Sequence, residues 1–205
     1  MRRTEDHYSR RARQEGFAAR SVFKLQEMQE RFRLLRPGAR VLDLGAAPGS
    51  WSQYCLQVLG GRGLVVGVDL NEPSFDWKGP GAEFRFLRAD LFAPEVEARL
   101  AEWGPYDLVL SDAAPHTTGS HLVDAQASLE LAGRALELAL RLLKNGGATA
   151  IKVFQGGQEG ELLARLRAGF ARARAFKPEA SRSESREVYV LGFGRKPGVA
   201  ARGPG

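Results

Sequence analysis

"VLDLGAAPGSWSQY", residues 41–54, decides the fold. A short apolar run carrying Asp43 breaks at Gly45-Ala46-Ala47-Pro48-Gly49 into small residues, then resumes with helical character from Ser50. This reads as a strand, a corner of bare backbone and a helix. Small residues at the carboxyl end of a strand let a ligand come close to the main chain. The corner is not a P-loop, because no Gly-Lys-Ser/Thr follows to supply a lysine and a magnesium-binding hydroxyl for a triphosphate. Nor is it a G-x-G-x-x-G dinucleotide fingerprint: three residues separate Gly45 from Gly49, and Pro48 removes an amide donor where a pyrophosphate would seek one. The same absence argues against an NAD-dependent oxidoreductase. The corner therefore suits a ligand without phosphates.

Working outward, strand-like runs occur at "RVLDLG", "LVVGVDL", "FRFLRAD", "YDLVLSD", "ATAIKVF" and "EVYVLGFG". Helix-like stretches lie between them: "SWSQYCLQVLG", "PEVEARLAEW", "DAQASLELAGRALELALRLLKNGG" with an Asn-Gly-Gly stop, and "EGELLARLRAGFARA". Short apolar strands alternating with helices predict an α/β fold, a mainly parallel sheet covered by helices on both faces. In such sheets ligands bind beyond the carboxyl ends of the strands. Acids stand at the ends of three successive predicted strands, Asp43, Asp69 and Asp90. A carboxylate at Asp69 can accept from ribose hydroxyls and one at Asp90 from an adenine amino group. A cationic sulfonium tolerates these acids where a pyrophosphate would not, so the pattern points to S-adenosylmethionine.

The chain of 205 residues, 43% hydrophobic and 26% charged, has the size and composition for one sizeable core rather than two. One domain over residues 1–197 is expected, with a basic N-terminal segment at about 1–36 and a flexible tail at 198–205. A formal charge of +6 favours a polyanionic partner. Residues 1–36 hold ten Lys and Arg against five acids, and residues 167–196 are similarly lopsided, so the two ends of the chain are the candidate polyanion-binding surface, with Tyr8 and Phe17 to stack on bases. A single cysteine, Cys55, excludes an intrachain disulfide, and no Cys/His cluster has zinc spacing. His116 and His121 read as surface histidines. The charged start "MRRTEDHYSRR" and the lack of a long apolar run predict a cytoplasmic protein without a membrane span, and nothing in the pattern asks for more than a monomer.

"DLGAAPGSWSQY", "SDAAPHTTG", "IKVFQG" and "SRSESREVYVLGFGRK" resemble, in order, the motifs of the FtsJ/RrmJ family of ribosomal RNA large-subunit methyltransferases, also called RlmE. The similarity runs from about Arg10 to Lys196. It implies a Rossmann-like methyltransferase fold, S-adenosylmethionine as methyl donor, no metal, and 2'-O-methylation of a uridine ribose in the A-loop of 23S rRNA within the large ribosomal subunit. It also implies a catalytic tetrad at Lys24, Asp112, Lys152 and Glu187, and donor contacts at Gly45, Gly49, Trp51, Asp69, Asp90 and Asp112.

These residue types suit the reaction. A ribose hydroxyl is a weak acid and a modest nucleophile, so general-base help is of value. Lys152, a lysine inside the apolar strand "ATAIKVF", is the expected proton acceptor. Desolvation and the charge of Lys24 favour the neutral amine this requires, while Asp112 and Glu187 oppose it, and a charged Lys152 stabilising a developing alkoxide is the other reading. "SDAAP" lacks the aromatic residue of the Asn/Asp-Pro-Pro-Tyr motif that stacks on a base, which disfavours methylation of a base nitrogen. Two other readings stand beside this one: a ribose methyltransferase acting on tRNA or another RNA, and a noncatalytic RNA-binding ribosome-assembly factor.

Overall fold

In the computed structural model, which describes residues 7–78, 81–156, 159–182 and 185–198, the run before Gly45 is a central strand of one seven-stranded sheet. The elements in chain order are α1 His7–Gln14, α2 Val22–Phe32, β1 Arg40–Leu44, α3 Ser50–Leu59, β2 Leu64–Asp69, β3 Glu83–Arg88 and α4 Val96–Ala101. β4 Tyr106–Ser111, α5 His121–Leu142, β5 Leu143–Phe154, α6 Glu159–Gly169, β6 Phe170–Phe176 and β7 Glu187–Arg195 complete them. The strand order is β3-β2-β1-β4-β5-β7-β6, with β7 antiparallel to both of its neighbours. The order reverses between β1 and β4, so the crevice beyond their carboxyl ends is where such a sheet takes a ligand. The tail expected to be flexible, from residue 199 onward, lies outside the described residues.

The strands alternate, and the alternation builds two layers. Leu42, Leu44, Val66, Val68, Val109, Ile151 and Val190 pack toward α4, α5 and α6. Val41, Val65, Leu108, Leu110, Ala150 and Leu191 pack the other way, against Leu25 and Met28 of α2 and Cys55, Leu56 and Leu59 of α3. The predicted mainly parallel, double-covered sheet is thus the observed one.

The basic N-terminal segment adds two helices to the second layer. α2 stops where Arg33 turns left-handed at φ 53° and its amide bonds back to the Gln29 carbonyl. α1 closes a small third cluster with Ala12, Phe17, Val22, Phe23 and Ala180. Phe17 and Tyr8, expected as stacking platforms for bases, are spent here. Phe17 is buried beside Tyr54, and Tyr8 packs on Phe23 at 5.4 Å with the Arg20 guanidinium over its ring.

Two segments differ from the pattern. The helix expected to continue through Ala173 ends at Gly169, and "FARARAF" forms the edge strand β6. Alanine and arginine favour helix locally, but pairing with β7 from Tyr189 to Arg195 overrides that preference. α5 ends at Leu142 rather than at Asn145-Gly146-Gly147, and those residues form an irregularity in β5 between Leu143, paired with Tyr106, and Ala148, paired with Leu108.

Candidate active site

The small residues of the corner open a cavity of about 310 Å³ beyond β1, β2 and β4, within the usual size of small-molecule sites. Gly45, Asp69, Asp90 and Asp112 all line it, so the structure brings together four of the expected donor contacts. Gly45 has φ +76°, and a Cβ there would lie 2.5 Å from the Ala113 Cα. Only glycine lets the loop after β4 come this close. Asp69 is fixed by its neighbours, accepting from the Ala47 amide at 3.1 Å and the Asn71 amide at 2.9 Å. Asp90 accepts from the Phe92 amide at 3.0 Å. Leu70, Leu91 and Phe92 supply an apolar wall, and His116 reaches the rim. The apolar wall was not singled out from sequence, since isolated apolar residues in loops carry no periodic signal, and His116, read there as a surface histidine, borders the cavity.

Gly49 and Trp51 do not line this cavity. Gly49 caps α3 at φ +118°, and a Cβ there would run into the Phe75 ring, so it serves the close packing of the loop after β2. Trp51 is buried, donates its indole N–H to the Ser21 carbonyl at 2.8 Å and packs against Tyr189. It stands behind the site, in contact with that tyrosine.

Asp43 also turns away. It lies one pleat from Leu42 and Leu44, on the α3 side of β1, where it is fully buried and accepts from the Ser52 hydroxyl at 2.7 Å. Burial, opposed by that hydroxyl and reinforced by the charges of Asp112 and Asp69, pushes its carboxyl up to about 7. The three strand-end acids therefore split, with Asp69 and Asp90 at the cavity and Asp43 inside.

At the Asp112 side of the cavity four charged side chains come from four separate places in the chain. Lys152 of β5 has its ammonium 2.6 Å from the Asp112 carbonyl oxygen and 3.0 Å from Asp112 Oδ1. Lys24 of α2 pairs with Glu187 of β7 at 2.5 Å, and both side chains are about one-tenth exposed. The antiparallel register of β5 and β7 explains the arrangement: Lys152 is opposite Tyr189 and Phe154 opposite Glu187. Glu187 and Tyr189, two apart on one strand, face the same side.

Tyr189 is the member that residue type alone did not reveal. Its hydroxyl donates to Asp112 Oδ1 at 2.7 Å. Burial opposes ionisation of Asp112, but the charges of Lys152 and Lys24 and the bonds from Tyr189 and Lys152 hold its carboxyl below the ordinary range. Burial and the neighbouring Asp112 charge push the Tyr189 hydroxyl well above its usual value, so it stays a donor. Asp112 thus borders both the cavity and Lys152, joining a ligand pocket to a lysine. Among the described residues no group of three or more His, Cys, Asp or Glu could hold a metal ion, and no helix is long and apolar enough to cross a membrane.

The cavity fits S-adenosylmethionine: acids stand where a phosphate ligand would need amides, and Gly45 and Ala47 present small residues to its lining. Comparison with known proteins points the same way. The profile of the FtsJ-like methyltransferase family matches residues 17–195. A ribosomal RNA large subunit methyltransferase E of Desulfosudis oleivorans is 44% identical, over 95% of this chain and 93% of the relative. One of the same name from Desulfatibacillum aliphaticivorans is 46% identical, over 96% of this chain and 94% of the relative. Among solved structures, a provisionally assigned ribosomal RNA methyltransferase from Plasmodium falciparum superposes with a TM-score of 0.74 at 24% identity, covering 87% of this chain and 98% of that one. Human methyltransferase-like protein 13 in complex with SAH superposes at 0.59 and 17% identity, covering 89% and 83%. These two share the fold.

Proposed function

The chain belongs to the FtsJ-like methyltransferase family, and from that premise we propose that it methylates a ribose 2'-oxygen in the ribosomal RNA of the large subunit. The target we infer is a uridine in the A-loop of 23S rRNA, met in the assembled subunit by a cytoplasmic monomer. The observation that carries the reading is the contact between the cavity and the lysine: Asp112 lines the one and holds the other at 3.0 Å.

S-adenosylmethionine, when bound, supplies an electrophilic methyl group on a sulfonium. Gly45, Asp69, Asp90 and Asp112 would hold it, Asp69 at the ribose hydroxyls and Asp90 at the adenine amino group, with Gly49 and Trp51 supporting the corner from behind. Lys152 is the proton acceptor. Once its ammonium has given up a proton, two N–H bonds can stay on Asp112 O and Oδ1, which leaves the lone pair for the incoming ribose hydroxyl. General-base help of this kind is worth roughly 10²–10⁴-fold. Asp112 fixes the direction of that lone pair, and Tyr189 fixes Asp112. Lys24, held by Glu187, sets a positive charge beside the developing oxygen anion. Because the four groups sit on α2, β5, β7 and the end of β4, positioning contributes as much as acid–base chemistry.

The test incubates the protein with labelled S-adenosylmethionine and large subunits from cells lacking the modification, beside Lys152→Ala. Label in a 23S ribose that vanishes in the variant is the expected result. Cofactor binding without label in those subunits redirects the reading to tRNA or another RNA. RNA binding without cofactor binding makes the protein an assembly factor.

A further inference from the structure

Away from the cavity, on the α2 side of the sheet, lies a second feature that the reaction does not use. β6 is the outer strand, and its Arg172 and Arg174 are exposed. With exposed Arg31 of α2 they line a depression of about 260 Å³ floored by Phe32, Ala173 and Phe193. Each guanidinium lies over a ring: Arg31 over Phe176 at 5.3 Å, Arg174 over Phe32 at 5.0 Å, and Arg172 over Phe193 at 5.6 Å. The rings are locked together, Phe32 and Phe176 meeting edge to face at 5.1 Å. Among the described residues none gives these arginines an ion pair or hydrogen bond.

Three like charges gathered without a carboxylate repel one another, so the cluster is at its most stable with an anion in it. A guanidinium with one face on a ring keeps its N–H edges outward, in the fork that matches phosphate oxygens. Protecting an edge strand from pairing needs charge alone and no aromatic seat. The position is also specific. Arg31 follows Lys24 by seven residues on the same face of α2, about 10 Å along the axis, or roughly three phosphates along one nucleic-acid strand. One end of α2 thus enters the reaction centre and the other enters this cluster.

We propose that Arg31, Arg172 and Arg174 form a docking site for backbone phosphates of the ribosomal RNA flanking the target ribose. The inference rests on the RNA methyltransferase reading and adds to it where the RNA runs: from the Lys152 site along α2 to the β6 edge.

The experiment compares wild type, Arg172→Ala/Arg174→Ala and Arg172→Lys/Arg174→Lys. Binding to protein-free 23S rRNA is measured across a salt series, and methyl transfer to undermodified large subunits gives kcat and KM. The alanine pair is expected to weaken rRNA binding about tenfold or more, lower the slope of log affinity against log salt by roughly 1.4–1.8, and raise KM with kcat unchanged. The lysine pair, which keeps charge and edge protection, is expected to restore the slope but not the full affinity. Unchanged affinity and slope in the alanine pair overturn the proposal. So does loss of binding to subunits alone with naked rRNA bound normally, which assigns the patch to an acidic ribosomal protein. Patch-dependent rRNA binding by a wild type that transfers no methyl group upholds the docking site while refuting the activity.

Discussion

Replacing Asp43 by asparagine should stabilise the protein, and increasingly so as pH rises. The carboxyl is fully buried, Ser52 donates to its Oδ2, and its Oδ1 has no hydrogen-bond partner among the described residues. Its folded-state value, about 7, lies above the ordinary 3.8. The folded protein therefore holds this proton more tightly than the unfolded chain. Stability from this group is whole below the unfolded value and is lost as pH rises through the folded one. A shift of about three units corresponds to ~4 kcal/mol lost by pH 7 or slightly above. Asparagine keeps the shape and cannot titrate, and any fixed cost of its amide displaces the comparison without changing its slope. Urea unfolding of both proteins from pH 5 to pH 8 reads the difference directly. It should move in favour of Asp43→Asn by about 1.4 kcal/mol per pH unit and flatten above neutrality. A difference constant over that range, or one moving toward wild type with pH, refutes the reasoning.

Other perturbations separate the roles at the reaction centre. Lys152→Ala should lower kcat for methyl transfer by roughly 10²–10⁴-fold, whereas Glu187→Gln should cost less in kcat but destabilise by about 1–3 kcal/mol, because Lys24 loses a nearly buried partner. Single-turnover rates and chemical unfolding check the two. Tyr189→Phe removes one of the bonds holding Asp112 ionised, so the acid limb of the kcat/KM profile should move to higher pH. An unmoved limb would show that the hydroxyl does not tune Asp112. Gly45→Ala places a methyl 2.5 Å from the Ala113 Cα at positive φ, a strain of about 1–3 kcal/mol. Calorimetry with S-adenosylhomocysteine should find its affinity reduced along with stability.

Much of this protein is legible in local pattern. Short apolar strands alternating with helices, a corner of small residues and the chemical types of Asp69, Asp90, Asp112 and Lys152 are properties of short segments, and the sheet and the donor cavity follow from them. The tertiary structure decided which charges meet. Lys24 and Glu187 stand 163 positions apart and pair only because α2 packs across the end of β7. Tyr189 reaches Asp112 because β5 and β7 run antiparallel in one register, and a shift by one residue would have sent it to the other face. Asp43 went inside while Asp69 reached the cavity, although the register puts both on one face of the sheet, because Asp43 pairs with Gly67 within the sheet under Ser52 of α3 while Asp69 is the last residue of β2. Phe17 and Tyr8 went to a core, and an Arg/Ala-rich stretch with helical preference became the strand that assembles three arginines. Sequence periodicity states which face a side chain takes within its own element, and only the docking of elements determines what stands opposite it.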